Sequence, residues 1–461
     1  MFPAGTKRQL TGCLLGVILL LTGCGADPSA SDGPEQSTIE ARAGAEASGE
    51  HIEIPRTPAG RQLDWFLRQA EAGQVAKNDY RQRFTEQFRS QVPYAEMKRI
   101  TGGLKGLRGI RILEQDRRRL VVLTEAEGVR LATTLAVDAA GTIDTLQLQP
   151  HQERPAPPTS WSALDDRLAA VAPETGFLAA ELTEDGRCVP IHQVRAGAPH
   201  PIGSMFKLYV LDTVASQVQQ GHLSWGTKLT IEAEDKSLPT GKLQDRADGD
   251  TVTVAEAARL MISISDNTAT DLLIERVGRG AVQRTIEQTS GNAKANIPVL
   301  TTRELFLLKG ADYPTYAQRY LDLPPAQRAS WLDSTLSGVP LDEVETWQQP
   351  RNTEVIGWFA APDEICAAFA RLTERDGVDR ALSVNDGGLG LDPEKWPKVW
   401  FKGGSEPGVM ALGYLAEATD GSRYVLTAMI HDHDTALDES TATLELLSLL
   451  EGASRLVSAP S

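Results

Sequence analysis

The chain has little positive charge for its length. Its 461 residues include 46 lysines and arginines against 62 aspartates and glutamates, which gives a formal net charge of -16. This acidic balance argues against nucleic acid or anionic lipid headgroups as the main partner, because both are themselves negative. The apolar content is ordinary at 41%, and the length allows two or three domains, each with a core of its own.

The chain also has no long hydrophobic run near its start. The apolar run Leu14–Leu21 is too short to span a bilayer, which takes about 20 residues, but it follows two basic residues and is typical of a signal peptide. Leu21-Thr22-Gly23-Cys24 resembles the bacterial lipobox. We therefore predict a lipoprotein signal peptide over 1–23 and a lipid on Cys24, with a short anchor helix as the alternative. The protein is expected on the extracytoplasmic side of the bacterial cell membrane.

Cysteine and histidine are scarce, with four and seven residues. Cleavage of the signal peptide would remove Cys13 and lipidation would use Cys24, which leaves Cys188 and Cys366. These two could pair in an oxidising compartment, but by default we interpret both as buried small apolar residues. His431-Asp432-His433-Asp434 offers ligand-type side chains without a third partner, so we expect neither a metal nor another cofactor.

Changes in composition divide the chain into segments. Residues 24–60 are rich in Ala, Gly, Ser, Glu and Pro, which predicts a disordered tether, and the proline-rich stretch 150–160 predicts a linker. Between them, residues 61–149 begin with apolar residues at helical spacing and continue with four alternating runs typical of antiparallel strands. We predict a small α+β domain here, which resembles the nuclear-transport-factor-2-like shape.

The remaining segment, 161–461, predicts a second α+β domain. Two strand-like runs come early, three come late, and helical patterns fill the middle. This order suits one antiparallel five-stranded sheet flanked by helices, with the two ends of the domain packed together. Such a layout would set Lys402 on an edge of the sheet beside Ser204.

Ser204 is the candidate nucleophile of the second domain. It follows Gly203 at a predicted helix N-terminus, and Lys207 lies one turn later on the same face. A serine hydroxyl needs a base to take its proton, and a lysine can serve when burial weakens its hold on its own proton. The helix N-terminus also favours a nearby oxyanion. Taken alone, the pair is better explained as a capping serine and a surface lysine, because two fixed residues in four positions recur by chance.

Two later motifs favour the catalytic interpretation. Ser265-Asp266-Asn267 lies in a helical region, and Lys402-Gly403-Gly404-Ser405 lies in a strand-like run near the end. S-x-x-K, S-D-N and K-T-G in this order are the signature of class A β-lactamases and penicillin-binding proteins. The chain therefore resembles that serine-hydrolase superfamily, with Gly403 where threonine is usual.

The resemblance implies catalytic roles for four residues. Ser204 would be the acylating nucleophile and Lys207 its proton acceptor. Ser265 would relay a proton toward the leaving group, and Lys402 would add positive charge near Ser265 and a substrate carboxylate. Acyl transfer needs a base, an acid for the leaving group and donors for the oxyanion, and these motifs provide all three.

The resemblance also implies substrate-binding residues, namely Asn267, Gly404 and Ser405. Asn267 would hydrogen-bond an acyl amide of the substrate, and the backbone N–H groups of Ser204 and Ser405 would form the oxyanion hole. Gly403 removes a hydroxyl that usually helps to bind a substrate carboxylate, although Ser405 could partly replace it.

The loop that carries the deacylating glutamate of class A β-lactamases has no counterpart. Ser290–Leu300 runs almost at once into the helical pattern Thr301–Leu308, and the nearest acids, Glu287 and Glu304, are expected to face solvent. Without a positioned base, a β-lactam acyl-enzyme should hydrolyse slowly. We therefore predict weak β-lactamase turnover and give esterase activity comparable weight.

Two other functions stay open. One is a D-alanyl-D-alanine peptidase or penicillin-binding protein, and the other is a non-catalytic lipoprotein that captures β-lactams or cell-wall peptides. In domain order and motif spacing the chain also resembles the two-domain β-lactamase-like proteins of clavulanic acid clusters, which are similar to cephalosporin esterases. Aromatic residues in 344–397, such as Trp347 and Trp358, could wall the active site or form extra core.

Overall fold

The computed structural model describes residues 52–458 and divides them into two compact units, one ending at Gln152 and the other beginning at Glu153. The boundary falls within the stretch 150–160 that the sequence predicts as a linker. The predicted signal peptide, Cys24 and most of the tether lie outside the described residues. Within 52–458, no helix is both long enough and apolar enough to cross a membrane.

The first unit consists of helices followed by an antiparallel sheet. Its helices are α1 (Pro58–Glu71), α2 (Lys77–Arg83), α3 (Glu86–Gln91) and α4 (Tyr94–Gly103), and its strands are β1 (Arg108–Gln115), β2 (Arg119–Ala126), β3 (Val129–Val137) and β4 (Ile143–Pro150). The strands pair in chain order, and the core between helices and sheet includes Leu63, Phe66 and Phe84. The α+β prediction is confirmed, and the likeness to nuclear transport factor 2 stays a prediction.

Helix α1 starts inside the segment predicted as tether. The Thr57 hydroxyl accepts a hydrogen bond from Gly60 N at 3.0 Å and caps the helix. Pro58 occupies the first turn, where a missing N–H costs nothing. The predicted end of the tether at residue 60 is corrected accordingly, because residues suited to a helix start also resemble linker composition.

The second unit places a five-stranded sheet between helices. Its helices are α5 (Trp161–Val171), α6 (Lys207–Gln219), α7 (Val254–Ser263), α8 (Asn267–Val277), α9 (Arg279–Thr289), α10 (Thr302–Gly310), α11 (Thr315–Asp322), α12 (Pro325–Ser334), α13 (Pro362–Thr373), α14 (Asp379–Leu382) and α15 (Glu439–Val457). Its strands are β5 (Glu174–Leu182), β6 (Cys188–Val194), β7 (His200–Pro201), β8 (Lys228–Thr230), β9 (Thr251–Thr253), β10 (Phe359–Ala360), β11 (Lys398–Glu406), β12 (Val409–Glu417) and β13 (Arg423–His431). The large sheet has the order β11-β12-β13-β5-β6 and is antiparallel throughout, which confirms the predicted sheet and puts β11 at its edge.

The two faces of this sheet pack into different apolar cores. Helices α5 and α15 cover one face, where Leu164 and Tyr414 are buried, while Phe206 of the turn before α6 and Phe369 of α13 belong to the core on the other face. Arg167 Nε on α5 donates to Glu445 on α15 at 2.6 Å. The two ends of this unit therefore pack together, as expected.

The linker lies against the second unit from Glu153 onward. Arg154 Nη1 donates to Leu389 O at 2.9 Å, and Ser448 Oγ on α15 donates to Ala156 O at 3.1 Å. The prolines predicted to stiffen a spacer are thus part of a packed segment that leads into α5.

Cys188 and Cys366 form a disulfide that joins β6 to α13, with the Cα atoms 6.2 Å apart. The default interpretation of both as unpaired apolar residues is therefore wrong. Their separation of 178 residues in sequence explains why pairing could not be recognised there, since only the packing of α13 against the sheet brings the two sulfurs together.

Candidate active site

Ser204 lies in a tight 3-10 turn, Gly203–Phe206, that connects β7 to α6. Gly203 has φ 46°, in the left-handed region that favours glycine. Phe206 stacks face to face on Trp358 with ring centroids 3.8 Å apart, and Trp358 Nε1 donates to a main-chain carbonyl at 3.0 Å. Aromatic packing beneath the turn therefore holds the main chain of Ser204 in place. Ser204 itself is partly exposed.

The α-helix begins at Lys207, one turn later than the sequence predicted, because the residues before it adopt the tighter 3-10 geometry. Lys207 is fully buried. Its Nζ lies 2.8 Å from Ser265 O, 3.0 Å from Ser265 Oγ and 2.6 Å from Asn267 Oδ1. Burial, reinforced by the nearby charge of Lys402, lowers the pKa of Lys207 well below its ordinary value. A lysine whose pKa is lowered in this way gives up its proton more readily and can then accept one from a neighbouring hydroxyl.

The Ser265-Asp266-Asn267 segment joins α7 to α8 and is held by its own side chains. Ser265 has φ 57°, and Asp266 caps α8 by accepting a hydrogen bond from Ala269 N at 2.8 Å. Asn267 Nδ2 donates to Leu238 O at 2.5 Å. Asn267 is therefore engaged at both ends of its amide, by Lys207 and by Leu238, and its second N–H is left to donate to a substrate. The capping role of Asp266 was not foreseen, although its place at a helix start signals it.

The Ser265 hydroxyl lies between two buried lysines. Lys402 Nζ approaches it at 3.2 Å from β11 and also donates to Gly403 O at 2.6 Å. Lys207 approaches it at 3.0 Å from α6. Burial lowers the pKa of Lys402 to about 7. A hydroxyl between two amines with lowered pKa values can pass a proton from one side to the other.

The main chain of β11 runs against the turn that carries Ser204. A Cβ atom at Gly404 would lie 2.5 Å from Ser204 N and 2.7 Å from Met205 N. A Cβ atom at Gly203 would lie 3.0 Å from Ser405 N. Glycine is therefore needed on both sides of this contact, which brings the N–H groups predicted to form the oxyanion hole to the same place.

Ser204 opens into a cavity of about 750 Å³. Six of the seven residues assigned to the site from sequence line it, and Lys207 lies beneath it. The six are Ser204, Ser265, Asn267, Lys402, Gly404 and Ser405. Much of the remaining wall is apolar: Trp347 and Trp358 line the cavity, and Trp347 packs against Phe306 with ring centroids 5.6 Å apart. Of the two alternatives for the aromatic segment, Trp347 therefore fits the active-site wall, while Trp358 fits both, since it lines the cavity and is buried in the core.

Acidic residues are arranged differently from the prediction. Glu287 is exposed, as expected, but Glu304 is buried, because it caps α10 and accepts hydrogen bonds from Arg279 at 2.6 and 2.8 Å. Among the described residues that line the cavity, the acids are Glu406 and Glu439. Glu406 accepts a hydrogen bond at 2.5 Å from the fully buried Lys309. No sequence motif predicts this pair. In 52–458 no group of His, Cys, Asp and Glu could hold a metal ion.

The antiparallel sheet between helices, with the Ser204 turn against the edge strand and Ser265 between two lysines, defines a serine-hydrolase fold of the β-lactamase and penicillin-binding-protein type. Residues 160–315 match the family model described as the β-lactamase enzyme family. Residues 54–143 match the model described as the N-terminal part of the ORF 12 gene product. Among curated proteins, none matches the chain.

Solved structures with a similar fold include a β-lactamase from Sphaerobacter thermophilus DSM 20745. The two sequences are 18% identical, the match covers 66% of this chain and 100% of that chain, and the TM-score is 0.43. A second is a mutant of PBP-A as an acyl-enzyme complex with penicillin G, with 16% identity, coverage of 65% and 99%, and a TM-score of 0.43. A third is an ancestral class A β-lactamase, with 18% identity, coverage of 64% and 98%, and a TM-score of 0.45.

Proposed function

We propose that the protein is an exported serine hydrolase that is acylated at Ser204 by esters or β-lactams and hydrolyses β-lactams slowly. The observation that carries this proposal is the position of Ser265 Oγ, within 3.0 Å of Lys207 Nζ and 3.2 Å of Lys402 Nζ, at the wall of the cavity that holds Ser204. A purely structural role would give no reason for two buried amines beside one hydroxyl.

In the proposed reaction, Ser204 Oγ attacks the carbonyl carbon of the substrate and its proton passes to neutral Lys207. The N–H groups of Ser204 and Ser405 stabilise the oxyanion. As the bond to the leaving group breaks, Ser265 donates a proton to that group and is reprotonated from the lysine side. The product is an ester on Ser204, and attack by water releases the acid and restores the serine.

Deacylation is expected to be the slow step of this reaction for β-lactams. The Glu304 carboxylate accepts hydrogen bonds from Arg279, and the Glu406 carboxylate accepts one from Lys309. Asp271 is buried in α8, accepts hydrogen bonds from Thr302 N and Arg303 N, and does not line the cavity. Glu439 lines the cavity at the start of α15, on the other face of the sheet from Ser204. With no free carboxylate on the Ser204 side of the described cavity wall to activate water, a β-lactam acyl-enzyme should persist, whereas a small ester leaves room for water.

Intact mass followed over time tests this proposal. Purified protein is mixed with penicillin G, with a 3′-acetoxy cephalosporin and with a p-nitrophenyl ester. We expect an adduct with each, rapid loss of the ester adduct, and β-lactam turnover below about 1 s⁻¹, the low end for enzymes. Fast penicillin turnover would contradict slow deacylation. Release of D-alanine from a D-alanyl-D-alanine peptide would favour the peptidase alternative, and adducts that never decay would favour the binding lipoprotein.

We further propose that the chain is anchored to the membrane by a lipid on Cys24. The support is the lipobox-like sequence Leu21-Thr22-Gly23-Cys24 after a short apolar run. When the full chain is produced in a bacterial host fed labelled palmitate, the label is expected on the protein and in the membrane fraction. A Cys24→Ser variant should lose both. Equal labelling of the two proteins would rule out this site.

A further inference from the structure

The cavity of Ser204 does not stop at the edge strand but continues across it. Successive residues of a strand point to opposite faces. Lys402 and Gly404 face the helices that hold Ser204, whereas Phe401 and Gly403 face the α15 side. Both sets line the same cavity, together with Met410, Leu412 and Thr443 on the α15 side. The space beside Ser204 is therefore continuous with an apolar pocket on the other face of the sheet.

The crossing point is Gly403. Its φ is not in the left-handed region, so the backbone itself does not require glycine. A Cβ atom here would lie 3.0 Å from Phe401 Cζ and 3.1 Å from Leu412 Cδ2. Both distances are shorter than an ordinary Cβ contact, so Phe401 and Leu412 already occupy the space over Gly403, and a threonine side chain would push them into the cavity that they line. The absence of a side chain at this position therefore makes room for Phe401 and Leu412, which form the pocket wall, and the cavity passes Gly403 at the free edge of β11.

The charges around the crossing do not favour an anion. Among the described residues that line the cavity, the cation is Lys402, and the anions are Glu406 and Glu439. Lys402 Nζ is already bonded to Ser265 and to Gly403 O, and burial lowers its pKa to about 7, so its positive charge is incomplete at neutral pH. A substrate carboxylate at Gly403 would lose its water and find no arginine in return, and the hydroxyl offered by β11 is that of Ser405, two residues further along.

We propose that the substrate of this site is an ester whose leaving group carries an uncharged, apolar substituent, which passes over the free edge of β11 beside Gly403 and lies against Phe401, Met410 and Leu412. This inference rests on the proposed acylation of Ser204 and names the substrate class. The chemistry is ordinary acyl transfer. The ester C–O bond breaks, the acyl group passes to Ser204 Oγ, and the alcohol leaves with a proton.

Two phenylacetate esters that differ only in charge provide the test. One is the ester of methyl 3-hydroxybenzoate, and the other is the ester of 3-hydroxybenzoic acid. We expect kcat/KM of the native protein to be at least about tenfold higher for the neutral ester than for the carboxylate ester. The carboxylate ester must bury an unpaired negative charge. Equal values, or a preference for the acid, would overturn the inference and leave acylation of Ser204 standing.

Variants at Gly403 test whether the preference for the neutral ester arises at this position. Gly403→Thr should lower kcat/KM for the neutral ester about tenfold and leave the carboxylate ester unchanged or improved. Gly403→Ala adds volume without a hydroxyl and should weaken only the neutral ester, which keeps the test open if the threonine variant does not fold. Gly280→Ala, on α9 and in ordinary contact with Arg284, is the matched control and should leave both values unchanged.

The outcomes separate this inference from the proposed function. If Gly403→Ala lowers both esters by the same factor, the crossing is not a substrate pocket and the inference fails. If neither ester gives turnover or a mass adduct with the native protein, acylation of Ser204 fails, and the substrate assignment fails with it.

Discussion

Replacing Ser204 with alanine is expected to abolish the covalent adduct and to lower kcat/KM for p-nitrophenyl esters by about 10³-fold or more. The variant keeps the turn, since Ser204 caps no helix and Phe206 still stacks on Trp358, but it removes the atom that accepts the acyl group. Intact mass and steady-state kinetics measure the two effects.

The matched control for this variant is Ser216→Ala on α6. Ser216 lies further along the helix that follows the turn, and its hydroxyl accepts a hydrogen bond from Gln220 at 3.1 Å. We expect native adduct formation and native kcat/KM from it. An adduct that survives in Ser204→Ala would show that another side chain is the nucleophile, and Ser265 would be examined first.

Replacing Gly404 with alanine is the second change with a large expected effect. The added Cβ would lie 2.5 Å from Ser204 N, and neither main chain can yield without separating β11 from the turn. We expect a loss of about 1 to 3 kcal/mol in the free energy of unfolding from overpacking. We also expect kcat/KM to fall about 10²-fold as the oxyanion donors move apart. Urea unfolding and ester kinetics measure these quantities.

Gly280→Ala again serves as the control, because its Cβ meets Arg284 Nη1 at an ordinary 3.6 Å and a helix favours alanine over glycine. Its stability should match or exceed that of the native protein, with unchanged kinetics. Native kcat/KM in Gly404→Ala would show that β11 tolerates a side chain beside Ser204, and the oxyanion site would then have to lie elsewhere.

The residues proposed to carry the chemistry could be found from sequence because acyl transfer needs specific side chains in a specific chain order. The motifs around Ser204, Ser265 and Lys402 are local, and the structure brings all three to one cavity. The two strands before the helical middle and the three after it also predicted the sheet and its edge. These features depend on residue type and short-range periodicity, which a sequence displays directly.

Other features depended on distant segments and were missed. Glu304 was expected in solvent, but Arg279 and the capping of α10 bury it. The pairing of Cys188 with Cys366 follows from the packing of α13 against the sheet. The contact between Lys309 and Glu406 joins α10 to β11 and has no local signal.

The amino-acid sequence by itself determined the class of fold and the candidate reactive groups. Hydrophobic periodicity predicts the fold, and motifs a few residues long indicate the groups. Only the tertiary structure decided how those groups are used. It buries Lys207, which lowers its pKa, and it presses β11 against Ser204. It also packs Phe401 and Leu412 over Gly403. Burial and close approach are properties of segments that meet in space, and no stretch of chain contains them alone.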